Sequence, residues 1–255
     1  MTRGFVIMAQ DIKGLTTYYN CAKALEKSIK LVMPTANITI ITNDMLPYGD
    51  LAHNNDWKLA NDWQVYQASP YDETIKLEAD MYIPRNIDHW WDVLSKQNIV
   101  VSSSIRNFKQ EISNNRFYRR FIDDNNLPDA YNAITYFKKS DMAKKFFDIV
   151  RDVFENWEEY KIILKCNTTE IVTTDWAYSI ACHIIGVENT MMPIFEEMSM
   201  VHMKQHINDC PTENWTDTFV YECLPNQIRI QTVPQQYPFH YHIKNFSDKI
   251  LESMA

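Results

Sequence analysis

Two carboxylates stand two residues apart in an apolar stretch, Glu78 and Asp80 within TIKLEADMYI. Removing an unpaired carboxylate from water is costly, so such a pair needs a neutralising partner. Residues i and i+2 of a strand point to one side, which lets both carboxylates approach a single Mg²⁺ or Mn²⁺, ions that take oxygen ligands. A salt-bridged strand end satisfies the same charges, and the tripeptide alone leaves both readings open. Elsewhere His202, His206 and Cys210 recur at i, i+4 and i+8. That spacing suits zinc on a helix, but no fourth ligand is evident, and a polar helix face is the expectation. Cys182 and His183 on an apolar helix read as core, and no serine sits in a nucleophile elbow.

The elements that position the carboxylates follow from hydrophobic period. Phe5 to Ala9 (FVIMA) and Ile38 to Thr42 (ITIIT) read as strands around a helix over Tyr18 to Lys30, a β-α-β opening. A helix through Asp62 to Ala68 leads into a strand over Ile75 to Leu77 that ends at the carboxylate pair. His89 to Leu94 reads as a short helix, and Ile99 to Ser103 and Ala133 to Phe137 as strands. Ser140 caps a long helix with Phe146, Phe147, Val150, Val153, Phe154 and Trp157 on one face. Strands alternating with helices predict an α/β fold, a mostly parallel central sheet with helices on both faces. Such sheets bind ligands beyond the carboxyl ends of their strands, where Glu78 and Asp80 fall. No repeat or linker divides the chain, so a single domain over residues 1–255 is expected, irregular from about Cys210.

Composition narrows the chemistry. The four glycines, Gly4, Gly14, Gly49 and Gly186, lie too far apart for a P-loop or a GxGxxG fingerprint. With 25 Lys+Arg against 33 Asp+Glu the net charge is −8, which repels polyanions unless basic residues cluster. Arg106, Lys109, Arg116, Arg119 and Arg120 form the one basic patch, expected as an exposed helix face beside a site. Five cysteines (Cys21, Cys166, Cys182, Cys210, Cys223) without a CxxC pair predict reduced thiols. Apolar runs stay far below a bilayer span, and the N-terminus lacks a signal-peptide apolar region. A soluble, cytoplasmic protein with no membrane partner is the expectation.

One segment carries a family resemblance. TIKLEADM at Thr74 to Met81, followed by Arg85-Asn86-Ile87-Asp88 and Trp90-Trp91, resembles the GT-A glycosyltransferases, within them the glycogenin-like and galactosyltransferase-like group, family eight. That group's hallmark runs apolar-apolar-Asp-Ala-Asp, an apolar strand, Asn-Ile-Asp and a short aromatic helix. Glu78 stands where most relatives carry Asp, which makes Asp80 the firmer ligand and suits Glu78 to act through water. Ala130-Tyr131-Asn132-Ala133 is similar to the family's Phe-Asn-Ser-Gly, and Thr174-Asp175-Trp176-Ala177 to its Asp-Gln. His240-Tyr241-His242 with Lys244 resembles the late His-Phe/Tyr-x-Gly segment. Its glycine and Lys-Pro-Trp ending are absent here, so His240 and His242 both remain candidates; the His-Tyr match favours His240, and strand alternation would point both to one side. The resemblance spans most of the chain, and the Glu78 to Asp88 segment is its specific part.

The resemblance implies a GT-A fold whose residues 1–130 hold nucleotide and metal, and whose residues 131–255 hold the acceptor and close the metal site. It implies a metal-dependent glycosyltransferase that moves a sugar from a nucleotide-sugar donor, a UDP-sugar foremost, to a hydroxyl acceptor with retention of configuration. Mn²⁺ or Mg²⁺ would sit on Glu78, Asp80 and a C-terminal histidine, with Lys244 on phosphate. Gln10, Asp11 and Tyr18 would hold the nucleoside, and Asn132 and Asp175 the sugar hydroxyls or reacting centre. The acceptor is open among a glycan, a small molecule, a protein hydroxyl and a hydroxylated DNA base; the acidic net charge argues against DNA, and similarity to phage-encoded members of the fold would raise it. Two other functions compete. A sugar nucleotidyltransferase would need a Gly-rich basic loop where Gln10 to Thr17 (QDIKGLTT) has one glycine and one lysine; a non-catalytic binding protein would keep the fold alone.

Overall fold

The computed structural model describes residues 1–12, 15–52, 58–166 and 171–255; Lys13 and Gly14 of the Gln10 to Thr17 loop lie outside these. The chain runs β1 (Arg3–Met8), α1 (Thr17–Val32), β2 (Ile38–Ile41), α2 (Val65–Ala68), β3 (Glu73–Glu78), β4 (Met81–Tyr82), α3 (Trp90–Leu94), β5 (Ile99–Ser102) and β6 (Ile105–Arg106). It continues through α4 (Arg120–Asp124), β7 (Tyr131–Lys138), α5 (Asp141–Glu155), α6 (Trp157–Ile163), α7 (Thr174–Ile185) and α8 (Val187–Thr190). The C-terminal part adds β8 (Met200–His202), β9 (Tyr221–Leu224), β10 (Gln227–Ile230), β11 (Val233–Pro234), β12 (Phe239–His240) and α9 (Phe246–Ser253).

The central sheet has the order β2-β1-β3-β7-β5. Strands β2, β1 and β3 are parallel, whereas β7 is antiparallel to both of its neighbours, β3 and β5. The sheet is thus mostly parallel, as expected, with β7 reversed. Alternation along β1 sends Phe5 and Ile7 into one apolar cluster, with α1 and α9, and Val6 and Met8 into another, with α5 and α7. Helices cover both faces because the strands are apolar on both. Ser140 accepts the Ala143 N–H at 3.3 Å and caps α5 as predicted. The helical face does not run unbroken to Trp157, because α5 ends at Glu155 and, after Asn156, Trp157 opens α6.

Two smaller sheets correct the expectation of an irregular C-terminal part. A meander β9-β10-β11 follows Cys210, and a four-stranded sheet of order β4-β12-β8-β6 joins the C-terminal segment to the chain just after Asp80. Met81 of β4 pairs with His240 of β12, and His240 in turn with His202 of β8. Residues more than 150 positions apart in sequence therefore meet beside the end of β3.

Candidate active site

A cleft of about 550 Å³ opens at the carboxyl end of β1 and β3. The reversal of β7 matters here: its first residues, Tyr131 and Asn132, lie beside the last residues of β3 and also line the cleft. The first turn of α7 contributes Thr174 and Asp175, and strands β8 and β12 with the segments that follow them contribute His202, Lys204, His240, His242 and Lys244.

The partner demanded by the carboxylate pair comes from the C-terminal segment. Asp80, 3% exposed, stands in the turn after β3; its Oδ2 is 2.9 Å from His240 Nε2 and accepts from Lys244 Nζ. Glu78, the last residue of β3, has Oε2 3.4 Å from the same His240 nitrogen. Burial pushes both carboxyls up. At Asp80 the His240 ring and the Lys244 ammonium outweigh burial and hold the group well below the usual range, whereas Glu78 stays raised.

Asp80, His240 and His242 each offer a ligand atom within 4.8 Å of the others. The two histidines do not share a side through strand alternation, because β12 ends at His240. His242 has φ 65°, a left-handed conformation that costs a non-glycine residue about 1–3 kcal/mol and clusters at ligand sites. Burial, then the charges of His240, Lys244 and Lys204, lower His242 to about 4, so its imidazole is neutral, the form that binds metal. A buried carboxylate, two imidazoles and a second carboxylate at the edge fit a divalent cation. His240 Nδ1 is buried without a hydrogen-bond partner, an orphan that a buried water would satisfy.

The polar helix face expected of His202, His206 and Cys210 is not found. His202 lies in β8, and His206 follows in a 3₁₀ turn. Among the described residues the one candidate metal cluster is Asp80, His240 and His242. His202 belongs beside it instead, its ring 4.6 Å from that of His240 and 6.0 Å from that of His242. Burial holds it well below the ordinary histidine range.

On the opposite wall Arg119, 1% exposed, donates Nη1 to Asp175 Oδ2 at 2.7 Å, Nε to Asp129 Oδ1 at 2.7 Å and Nη2 to the Ala130 carbonyl at 2.7 Å. Asp175 Oδ1 accepts the Asn132 backbone N–H at 3.0 Å. Asn132 Nδ2 is buried with no partner. Beneath them the fully buried Lys76 pairs with Asp62 at 2.8 Å and donates to the Asn132 carbonyl at 3.1 Å. Tyr178 Oη donates to the other Asp62 oxygen at 2.6 Å.

The basic patch is not one exposed helix face: Lys109, Arg116 and Arg120 are exposed, Arg106 and Arg119 are buried, and only Arg120 lies in a helix. Arg106 is buried on Ser199 and Glu196, Arg116 pairs with Asp123 and Asp129, Arg119 is interior, and Arg120 pairs with Asp124. Sequence reasoning placed Arg119 only in a solvated patch and passed over Lys76 and Asp62. A lysine inside the apolar run TIKLE was the available signal, because an interior ammonium requires a carboxylate partner.

The nucleoside candidates separate. Gln10 is buried, lines the cleft and accepts from Asn61 Nδ2 at 2.9 Å. Tyr18 also lines it, with Lys244 Nζ 5.2 Å from its ring centroid. Asp11 is absent from the cleft wall: its carboxylate accepts the N–H groups of Tyr18 at 2.6 Å and Tyr19 at 3.0 Å, capping the start of α1. The expected core thiol is found, since Cys182 is buried, while His183 is exposed.

No protein-family model matches the chain, and no curated protein matches it. Solved structures do. The bifunctional glycosyltransferase WbbM is 14% identical with a TM-score of 0.52, over 100% of this chain and 50% of that one. An active-site mutant of LgtC is 11% identical with a TM-score of 0.51, over 98% of this chain and 95% of that one. GlyE of Streptococcus pneumoniae TIGR4 is 8% identical with a TM-score of 0.50, over 98% of this chain and 60% of that one. This chain thus spans half the length of the WbbM chain. At such identities the likeness is one of fold, and it is the GT-A fold expected from the segment Glu78 to Asp88. No helix among the described residues is long and apolar enough to cross a membrane.

Proposed function

We propose that the chain is a metal-dependent glycosyltransferase that moves a sugar from a nucleotide-sugar, a UDP-sugar foremost, to a hydroxyl acceptor with retention of configuration. The observation that carries this is the convergence of Asp80, His240 and His242 within 4.8 Å, beside Lys244 and at the strand ends of a GT-A fold. Asp80, His240 and His242 would hold Mn²⁺ or Mg²⁺, with Glu78 reaching it through water. When bound, the metal supplies Lewis-acid stabilisation of the charge on the departing diphosphate.

The chain's own residues account for the rest. Lys244 adds a point charge to the phosphates, freed from Asp80 once that carboxylate is otherwise engaged. Gln10 and Tyr18 face the nucleoside, and Asp11 acts at a distance by fixing the start of α1. The orphaned Asn132 Nδ2 needs an acceptor, and a sugar hydroxyl supplies one. Asp175 is assigned to positioning the sugar, with its carboxylate clamped by Arg119 and by the Asn132 N–H; a fixed dipole at the reacting centre costs no reorganisation during transfer. Nucleoside diphosphate release is measured with a panel of sugar nucleotides, with and without Mn²⁺. Metal-stimulated release of UDP is expected; a pyrophosphate product from a nucleoside triphosphate and sugar phosphate would instead reveal a nucleotidyltransferase, and binding without turnover a non-catalytic protein.

A further inference from the structure

The cations of the cleft wall fall into two classes. Lys58 is paired with Asp50, Lys76 with Asp62, Arg119 with Asp129 and Asp175, and Lys244 with Asp80. Lys204 also lines the cleft, yet among the described residues no carboxylate lies within ion-pair distance of it. Its ammonium instead sits 4.8 Å from the centroid of the Tyr118 ring. A half-buried ammonium held by an aromatic face keeps its charge available to an incoming anion.

An apolar feature stands just outside the cleft lining, on the loop that carries Tyr118. Phe117, next to Tyr118, is 72% exposed, and its ring lies 4.4 Å from that of His206. Asn115 Nδ2 donates to the His206 carbonyl at 2.6 Å, so the loops 115–119 and 204–206 form one rim. An exposed aromatic ring and an ammonium without a carboxylate partner on one rim suit a pyranose, whose CH-rich face packs on the ring while a charged substituent meets the ammonium. The phosphates of the donor need no such ring, and Lys244 already stands next to Asp80. A polyanion such as DNA needs several phosphate contacts, whereas the arginines nearby are spent on aspartates and glutamate.

Resting on the glycosyltransferase reading above, we propose that this rim is the acceptor subsite and that it selects an acidic saccharide, with Lys204 receiving the carboxylate or phosphate and Phe117 the sugar face.

The test has two stages. Hydrolysis of UDP-sugars with Mn²⁺ first identifies a donor; if none is turned over, the glycosyltransferase reading itself fails. With that donor, transfer to and competition by glucuronic acid, glucose 6-phosphate and glucose are compared, the two acids separating carboxylate from phosphate. A charge-assisted contact predicts kcat/KM or competitor affinity about tenfold better for at least one acid than for glucose. Lys204→Gln should collapse that ratio toward one, and Phe117→Ala should raise KM for acidic and neutral sugars alike. Equal responses to acids and glucose, or none to the acids from an enzyme that consumes its donor, overturn the proposal. So does a Lys204→Gln variant whose loss falls on KM for the UDP-sugar with the ratio intact, which would put Lys204 on the donor phosphates. A hydroxymethylated DNA duplex that outcompetes the acids, with steep salt dependence, also overturns it.

Discussion

Arg119 reaches Asp175 from inside the protein, donating Nη1 to Oδ2 at 2.7 Å while itself only 1% exposed. The pair joins the loop before α4 to the first turn of α7, and Asp129 and the Ala130 carbonyl share the same guanidinium. Removing the cation would strand two carboxylates and a carbonyl, and breaking a buried pair costs about 3–5 kcal/mol. Arg119→Met should lower unfolding free energy by that order in urea titration, and Asp175→Asn in the same background should recover part of it. A single variant within about 1 kcal/mol of wild type, the size of an exposed pair, would show that the cluster is not structural. Asp175→Asn alone should abolish transfer while the protein stays folded.

The carboxylates should behave unequally. Asp80 faces His240, His242 and Lys244, whereas Glu78 lies at the edge of the group, 3.4 Å from His240. Asp80→Asn keeps shape and removes charge, so Mn²⁺ binding by calorimetry should disappear. Glu78→Gln should weaken it by the about 10–100-fold typical of residues acting behind the first ligands. Equal losses would place Glu78 on the metal directly.

Acid should loosen the metal-free protein. Burial lowers His242 from 6.5 to about 4 and depresses His202 in the same direction. Between those values the unfolded chain binds more protons than the folded one, so stability rises with pH. The loss therefore begins as pH falls below about 6.5 and is complete for His242 below about 4. Denaturation midpoints measured from pH 7 to pH 4 should decline, and a His202→Phe/His242→Gln variant should decline less. An identical decline in the variant would mean that other groups cause it.

The legible parts of the sequence were those where local pattern and tertiary position agree. The runs around Phe5, Ile38 and Ile75 are short, β-branched and bounded by polar residues and appeared as strands, and the strand-end position of Glu78 and Asp80 followed. The reversal of β7 left no mark, because AITYF has the same pattern in either direction. Strands β8 and β12, three and two residues long, are too short for a period, so His202 was assigned by a helical spacing it does not have. Charge type misled at Arg116 to Arg120. Three arginines near one another resemble a solvated face, and their partners Asp123, Asp124, Asp129 and Asp175 become partners only once the chain folds. Asp11 stood where a ligand contact was expected, yet its carboxylate is used by the N–H groups of Tyr18 and Tyr19.

Lys244 gives the sharpest test of how the site changes hands between states. Its ammonium lies on Asp80 Oδ2, the same oxygen that His240 Nε2 approaches at 2.9 Å. Burial lowers the Lys244 ammonium, but Asp80 and Tyr18 outweigh it and leave it firmly charged. A divalent cation on Asp80 must therefore displace this lysine or share the carboxylate with it, and the two positive charges repel at close range. Replacing the lysine by an uncharged side chain of similar length removes that competition. Lys244→Met should bind Mn²⁺ alone as tightly as wild type or more tightly. The same variant should bind UDP more weakly in the presence of Mn²⁺, because a charge-assisted contact to phosphate, about 1.5–3 kcal/mol, is gone. The opposite signs distinguish this exchange from a general loss of structure, which would weaken both. Parallel calorimetric titrations of wild type and variant, first with Mn²⁺ and then with UDP at saturating Mn²⁺, measure the two terms. A variant weakened toward Mn²⁺ alone would show that Lys244 supports the metal site, and not that it competes for it.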